Sequence, residues 1–163
     1  MIINLNKSKW NICIAIFVLT SLLIVGYIFY NSVQKIDDSN ERSDKIVEQI
    51  QPIVDPDEKI AEKDFKKYTR KVAHFTEFAL LGISMGCLFG CVYGKSKKVF
   101  VSLPLFLTLL VGVSDEFIQN FNDRSSSVKD VLIDFSGACV GLLLVFVVIL
   151  IIKNVSKKRN VKC

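Results

Sequence analysis

The stretch Trp10–Tyr30, WNICIAIFVLTSLLIVGYIFY, decides the fold. Its 21 residues carry no charge, and as a helix they extend about 31 Å, close to one hydrocarbon thickness. Lys7 and Lys9 precede it, as basic residues precede a secretory signal. After Gly26, however, the chain runs Tyr27-Ile28-Phe29-Tyr30-Asn31, bulky aromatics in place of a small-x-small cleavage site. The reading is therefore an uncleaved anchor helix over residues 1–30.

Three further spans lie outward from it. Val72–Tyr93 is a second apolar run that carries His74 and Glu77 in its first turns. Val99–Val113 has 15 residues, about 22 Å as a helix, and is too short to cross. It crosses by running on to about Gln119, which takes Asp115 and Glu116 to the membrane edge. Val131–Ile152 is a fourth run, with Asp134 just inside its start. The expected fold is an all-α membrane protein, a four-transmembrane-helix bundle with an extended charged first loop. Its parts are the anchor, a partly helical extracytoplasmic loop over 31–70, a three-helix core over 71–152 and a basic cytoplasmic tail over 153–163.

Composition agrees. The chain has 163 residues, 51% of them hydrophobic, with a formal charge of +5. That apolar content excludes a disordered polymer, and the length suits one domain. The five cysteines are an odd number, and Cys13, Cys87, Cys91 and Cys139 lie inside apolar runs, which argues against a disulfide-stapled secreted domain. Cys87 and Cys91, one turn apart, lack further ligands for a metal and read as small packing residues.

The charges are segregated. Residues 31–71 hold 10 acids and 9 bases, a solvated stretch with turns expected at Pro52 and Pro56. Asp55-Pro56-Asp57-Glu58 reads as an N-cap, a proline at the first helical position and acids on the positive helix end. A helix from there is expected to continue into the second span, with Ile60, Phe65 and Tyr68 on its membrane-facing side. With the N-terminus inside, the cytoplasmic segments hold 10 bases and no acid, and the outer side holds 11 bases and all 16 acids. Short purely basic flanks orient more strongly than a long mixed loop, so both termini are assigned to the cytoplasm. The +5 is then +10 inside and −5 outside. It speaks of orientation and anionic lipid, not of nucleic acid.

Four antiparallel spans bring the start of span two, the end of span three and the start of span four to one face. On span two, Lys71, His74 and Phe78 share a side, with Glu77 one turn from His74. On span three, Thr108, Gly112, Asp115 and Gln119 follow i, i+4, i+7, i+11, and on span four Asp130, Asp134, Gly137 and Gly141 repeat that spacing. Arg124 and Lys129 lie in the connecting loop. An ionised carboxylate at a span centre costs roughly 2.5–3.5 kcal/mol on insertion scales, less at the edge. Lys71, His74, Glu77, Asp115, Glu116, Gln119, Arg124, Asp130 and Asp134 are therefore expected to form an inward-facing, partly hydrated cluster. The plain structural alternative is that they tie helices together by salt bridges and hydrogen bonds. Gly82, Gly86, Gly90 and Gly94 recur every four residues, and Gly137 with Gly141 forms a GxxxG. Such small residues let helix backbones approach closely, and no preceding strand suggests a nucleotide loop.

Three of these pieces, in this order, resemble the VanZ-like family of membrane proteins. They are Lys71-Val-Ala-His74-Phe-Thr-Glu77-Phe78-Ala-Leu-Leu-Gly82, then Ser114-Asp115-Glu116-Phe-Ile-Gln119-Asn-Phe121 with Arg124 following, then Asp130-Val-Leu-Ile-Asp134-Phe-Ser-Gly137-Ala. The resemblance covers about residues 70–145 and departs at Asp123, where the family pattern expects glycine. It implies a multi-pass protein of the bacterial cell membrane and a link to low-level resistance to glycopeptides (teicoplanin, lipoglycopeptides). It names a phenotype and no reaction.

Three mechanisms stay open at this point. The outward-facing cluster binds a phospholipid headgroup or a lipid-linked wall precursor, Lys71, Arg124 and Lys129 holding phosphate. Alternatively His74 or Glu77 is the general base of an intramembrane enzyme, with Asp115 or Glu116 as acid or metal ligand; no nucleophile is identifiable. The third is a small proton-linked transporter. No cofactor and no resident metal is expected, the bilayer is the first partner, and the oligomeric state is not legible.

Overall fold

A computed structural model describes residues 6–34, 36–55, 60–97, 102–121 and 127–161. They form five helices, α1 (Lys7–Val33), α2 (Ile36–Val54), α3 (Glu62–Ser96), α4 (Ser102–Asn120) and α5 (Val128–Val161). All but α2 are long and apolar enough to cross a membrane, so the protein is an all-α, four-transmembrane-helix bundle. At 19 residues, α4 is about 28 Å long. It reaches that length because it continues past Val113 through Asp115 and Glu116 to Asn120.

The bundle is inverted relative to a water-soluble one. Ser21, Ser32, Ser84, Thr108, Asp115, Glu116, Gln119 and Asp134 are buried, whereas Leu22, Leu23, Leu110, Phe117, Leu143 and Phe146 are exposed. A surface this apolar is explained by hydrocarbon around it, and the polar groups turn inward because lipid offers them no partners. The small apolar core is Ile28, Phe78, Leu81 and Ala138.

Helix α3 is the hub, packed most extensively on α5 and then on α1. Glycines set the α3–α5 approach. A Cβ at Gly82 would collide with the Ala138 carbonyl, one at Gly137 with the Phe75 carbonyl and one at Gly141 with the Ala79 carbonyl. Further along, Gly86 faces Val145 and Gly90 faces Ile149, while Gly94 receives the Trp10 indole of α1. Helix α3 closes on a left-handed Lys97 (φ 60°), whose N–H bonds to the Tyr93 carbonyl at 2.9 Å.

The first loop departs from the expected turns. Pro52 lies within the last turn of α2 and not at a bend. Residues 56–59 fall outside the described residues, so Pro56 is not placed. Asp55 does not cap α3, which starts at Glu62 after a non-helical Ile60 and Ala61. The Asp55 carboxylate instead accepts the Ile60 N–H at 2.7 Å, and the Gln51 amide reaches the Ile60 carbonyl at 3.3 Å. That spans the corner between α2 and α3. Glu62 and Asp64 supply the acids of the α3 first turn, favourable at the positive helix end. Lys66 then ties α3 to α2 through Asp44 at 2.7 Å. Phe65 is buried, while Ile60 and Tyr68 are exposed.

Candidate binding site

The alternating helices bring the end of α1, the start of α3, the end of α4 and the start of α5 to one level. At the centre stands His74 of α3, between two carboxylates. Its Nδ1 lies 3.8 Å from Asp115 Oδ2 of α4 and 4.0 Å from Asp134 Oδ1 of α5. Asp115 is 0% exposed and Asp134 1%. Two carboxyl groups buried this close together are costly unless a cation or protons compensate them.

Asp115 is held in a fixed orientation. One turn along α4, Gln119 Nε2 donates to Asp115 Oδ2 at 2.8 Å, and the Ser32 hydroxyl of α1 donates to Asp115 Oδ1. Gly112 of α4 lies beside Phe78 of α3 and the Asp134 Cβ of α5, where a methyl group would make only ordinary van der Waals contact. Asp134 differs from Asp115: its Oδ2 is buried and has no hydrogen-bond partner among the described residues.

The remaining predicted residues divide among other tasks. Glu77 turns toward α1, where Asn31 Nδ2 donates to its Oε1 at 3.0 Å. Glu116 Oε2 accepts the Ser127 N–H at 2.9 Å, joining the end of α4 to the start of α5. Ser127 also caps α5, its hydroxyl accepting the Lys129 N–H at 3.1 Å. Lys71 Nζ pairs with Asp130 Oδ1 at 2.6 Å at the rim. Lys129 is exposed. Arg124 lies outside the described residues.

Sequence reasoning grouped His74 with Glu77, but positions three apart on a helix point about 60° apart. On a hub helix that angle suffices to send Glu77 to α1 and His74 to α4 and α5. It also overlooked Asn31, Ser32 and Ser127. The signal for the first two was present: a polar pair follows the charge-free run of α1 by less than one turn. A second polar contact between α1 and α3, the Ser21–Ser84 hydroxyl pair at 2.8 Å, lies deeper in the bundle.

Beside the cluster, α1 and α3 leave a shallow groove lined by Thr20, Leu23, Ile24, Tyr27, Leu80 and Glu77. Its lining is apolar apart from Thr20, the Tyr27 hydroxyl and Glu77. The site as a whole can hold a proton or cation between His74 and its acids, accept hydrogen bonds from hydroxyl or amine groups, and shelter an apolar chain alongside.

No curated protein and no solved structure matches the chain. The model of the family described as VanZ/LLP1 matches residues 17–151, a range that takes in α3, α4 and every helix end that builds the cluster. On that match, the protein, a multi-pass membrane protein by its four apolar helices, belongs to the VanZ/LLP1 family.

Proposed function

We propose that this protein recognises an amphiphile of the cell envelope, the phosphate-bearing headgroup of a phospholipid or a lipid-linked wall precursor. By occupying it, the protein lowers the access of glycopeptide antibiotics to their target. In this reading both termini are cytoplasmic and the polar cluster opens to the outer face. The observation that carries it is the apolar α1–α3 groove with the part-buried Glu77, held by Asn31, among its lining residues. That shape suits a molecule with one apolar and one polar end. Lys71 stands at the rim, where an ammonium attracts phosphate, and the carboxylates select hydroxyl or amine groups. The family link to low-level teicoplanin resistance supports the phenotype.

The test is copurification. Protein extracted in mild detergent from cells fed radiolabelled phosphate should carry labelled lipid. Leu80→Trp, which fills the groove, should lose that label together with any gain in teicoplanin resistance while leaving the protein folded. Equal label on wild type and variant sinks the reading. A second reading, an acid/base enzyme, is favoured by one feature: His74 flanked by two carboxylates is oriented as a general base commonly is. Chemical turnover of the bound lipid by purified protein would place it first.

A further inference from the structure

Helices α3, α4 and α5 each send one metal-competent side chain to a common point. His74, Asp115 and Asp134 offer ligand atoms that all lie within 4.8 Å of one another. In a tetrahedral site with bonds of about 2.0 Å the ligand atoms stand about 3.3 Å apart. The 3.8 Å and 4.0 Å separations from His74 Nδ1 therefore need to close by about 0.5 and 0.7 Å, and the Asp115–Asp134 pair, within 4.8 Å, by at most about 1.5 Å, within the reach of side-chain rotation. One ligand from each of three facing helices is how bundles build metal centres.

Three observations point to an ion, beyond the nearness of acids. The first is Asp134 Oδ2, fully buried on a residue 1% exposed and with no hydrogen-bond partner among the described residues. A buried carboxylate oxygen in that position calls for a cation or a proton. The second is the set of hydrogen bonds around Asp115. Gln119 on Oδ2 and Ser32 on Oδ1 hold the carboxylate in place, and a carboxylate oxygen can accept more than one bond. Such outer hydrogen bonds accompany metal-ligating carboxylates. The third is charge. A divalent ion balances the charge of two carboxylates buried as closely as those of Asp115 and Asp134.

We propose that His74 Nδ1, Asp115 Oδ2 and the Asp134 carboxylate form a binding site for one divalent transition-metal ion, with zinc as the best chemical match. A nitrogen with two carboxylates suits zinc better than magnesium or calcium, which take oxygen cages. Three protein ligands leave a fourth position open, the arrangement of zinc sites that take water or an incoming oxygen ligand. The site stands apart from the envelope reading: it holds whether or not a lipid is recognised.

The experiment uses the full chain, stripped with chelator in detergent, reloaded with zinc sulfate and freed of excess ion. Elemental analysis should find zinc equimolar with protein. Asp134→Asn should lower that content at least about tenfold, the scale on which changes around metal centres act, whereas Asp130→Asn, at the rim, should leave it unchanged. Loading with cobalt(II) probes the wild type directly, with no dependence on how a variant folds. Intense visible absorption of four- or five-coordinate cobalt supports the site. Either of two results overturns it: wild-type protein that retains no zinc and gives only the pale spectrum of aqueous cobalt, or zinc retained equally by Asp134→Asn.

Discussion

Gly137 of α5 lies directly against the backbone carbonyl of Phe75 on α3, with no space for even a methyl group between them. The contact sits one residue from His74 and three from Asp134, so the tightest approach of the two helices is also what brings these side chains to the same level. Packing and site are one construction here. Gly137→Ala forces the backbones apart, and small-to-large changes of this kind cost typically about 1–3 kcal/mol. We expect a clear fall in the thermal unfolding midpoint in detergent, and the same for Gly82→Ala and Gly141→Ala. Gly26→Ala, where nothing stands within 4 Å, should leave the midpoint unchanged or raise it. Gly90→Ala, which meets only the flexible tip of Ile149, should fall between. Equal behaviour of Gly26 and Gly137 variants would contradict the packing.

The Lys71–Asp130 pair is placed for a different size of effect. Both side chains are 31% exposed, and ion pairs with such access to water contribute about 1 kcal/mol or less. Lys71→Met should therefore shift the unfolding midpoint only slightly, and less at high salt. If Lys71 also attracts phosphate, the same variant should lose lipid label out of proportion to its stability. A large loss of stability with label intact would assign Lys71 to structure alone.

These contrasts show what was legible in the chain. Helical periodicity makes the stripes on α4 and α5 readable, because spacings of three and four put Asp115 with Gln119 and Asp130 with Asp134 on single faces. The four spans follow from the energetic cost of charge in hydrocarbon, and the extension of α4 to include Asp115 and Glu116 from the length a helix needs to cross. What periodicity does not encode is rotation about the hub helix. The separation of Glu77 from His74 depends on which neighbours flank α3, a tertiary fact. The contribution of α1 was hidden for a related reason: a helix apolar all round carries no stripe to say which side faces inward, so Ser32 reveals its role only through Asp115. The corner at Asp55 shows local competition. The Asp-Pro pattern fits a helix start, but the carboxylate is used to accept the Ile60 N–H, and α3 begins at Glu62.

The Ser32 hydroxyl joins α1 to the buried acid Asp115. Replacing it with alanine leaves a buried acceptor without that donor, a loss of about 1–3 kcal/mol. We expect Ser32→Ala to reduce thermal stability by a corresponding shift and to weaken binding at the cluster. Ser32→Thr keeps the hydroxyl and should restore much of both. Asn31→Ala acts on Glu77 instead, and because the two residues are adjacent in α1 the double variant should depart from the sum of the single effects. Failure of threonine to rescue would mean that position 32 tolerates only a small side chain.

Orientation admits a direct measurement. Val128 begins α5 and is 78% exposed, at the level of the polar cluster, whereas Ser96 ends α3 at the opposite end of the bundle and is exposed too. The basic flanks favour an inside location for the Ser96 end, so the cluster should open outward. In a background with Cys163→Ser, a membrane-impermeant maleimide should label Val128→Cys in intact cells and Ser96→Cys only after lysis. Cys13, Cys87, Cys91 and Cys139 are half-buried within the spans, which keeps their labelling low, and the Cys163→Ser parent measures what remains. The reverse pattern would put the cluster on the cytoplasmic face. An antibiotic confined to the outer surface could not then compete at the site, and the envelope-recognition reading would fall with the topology.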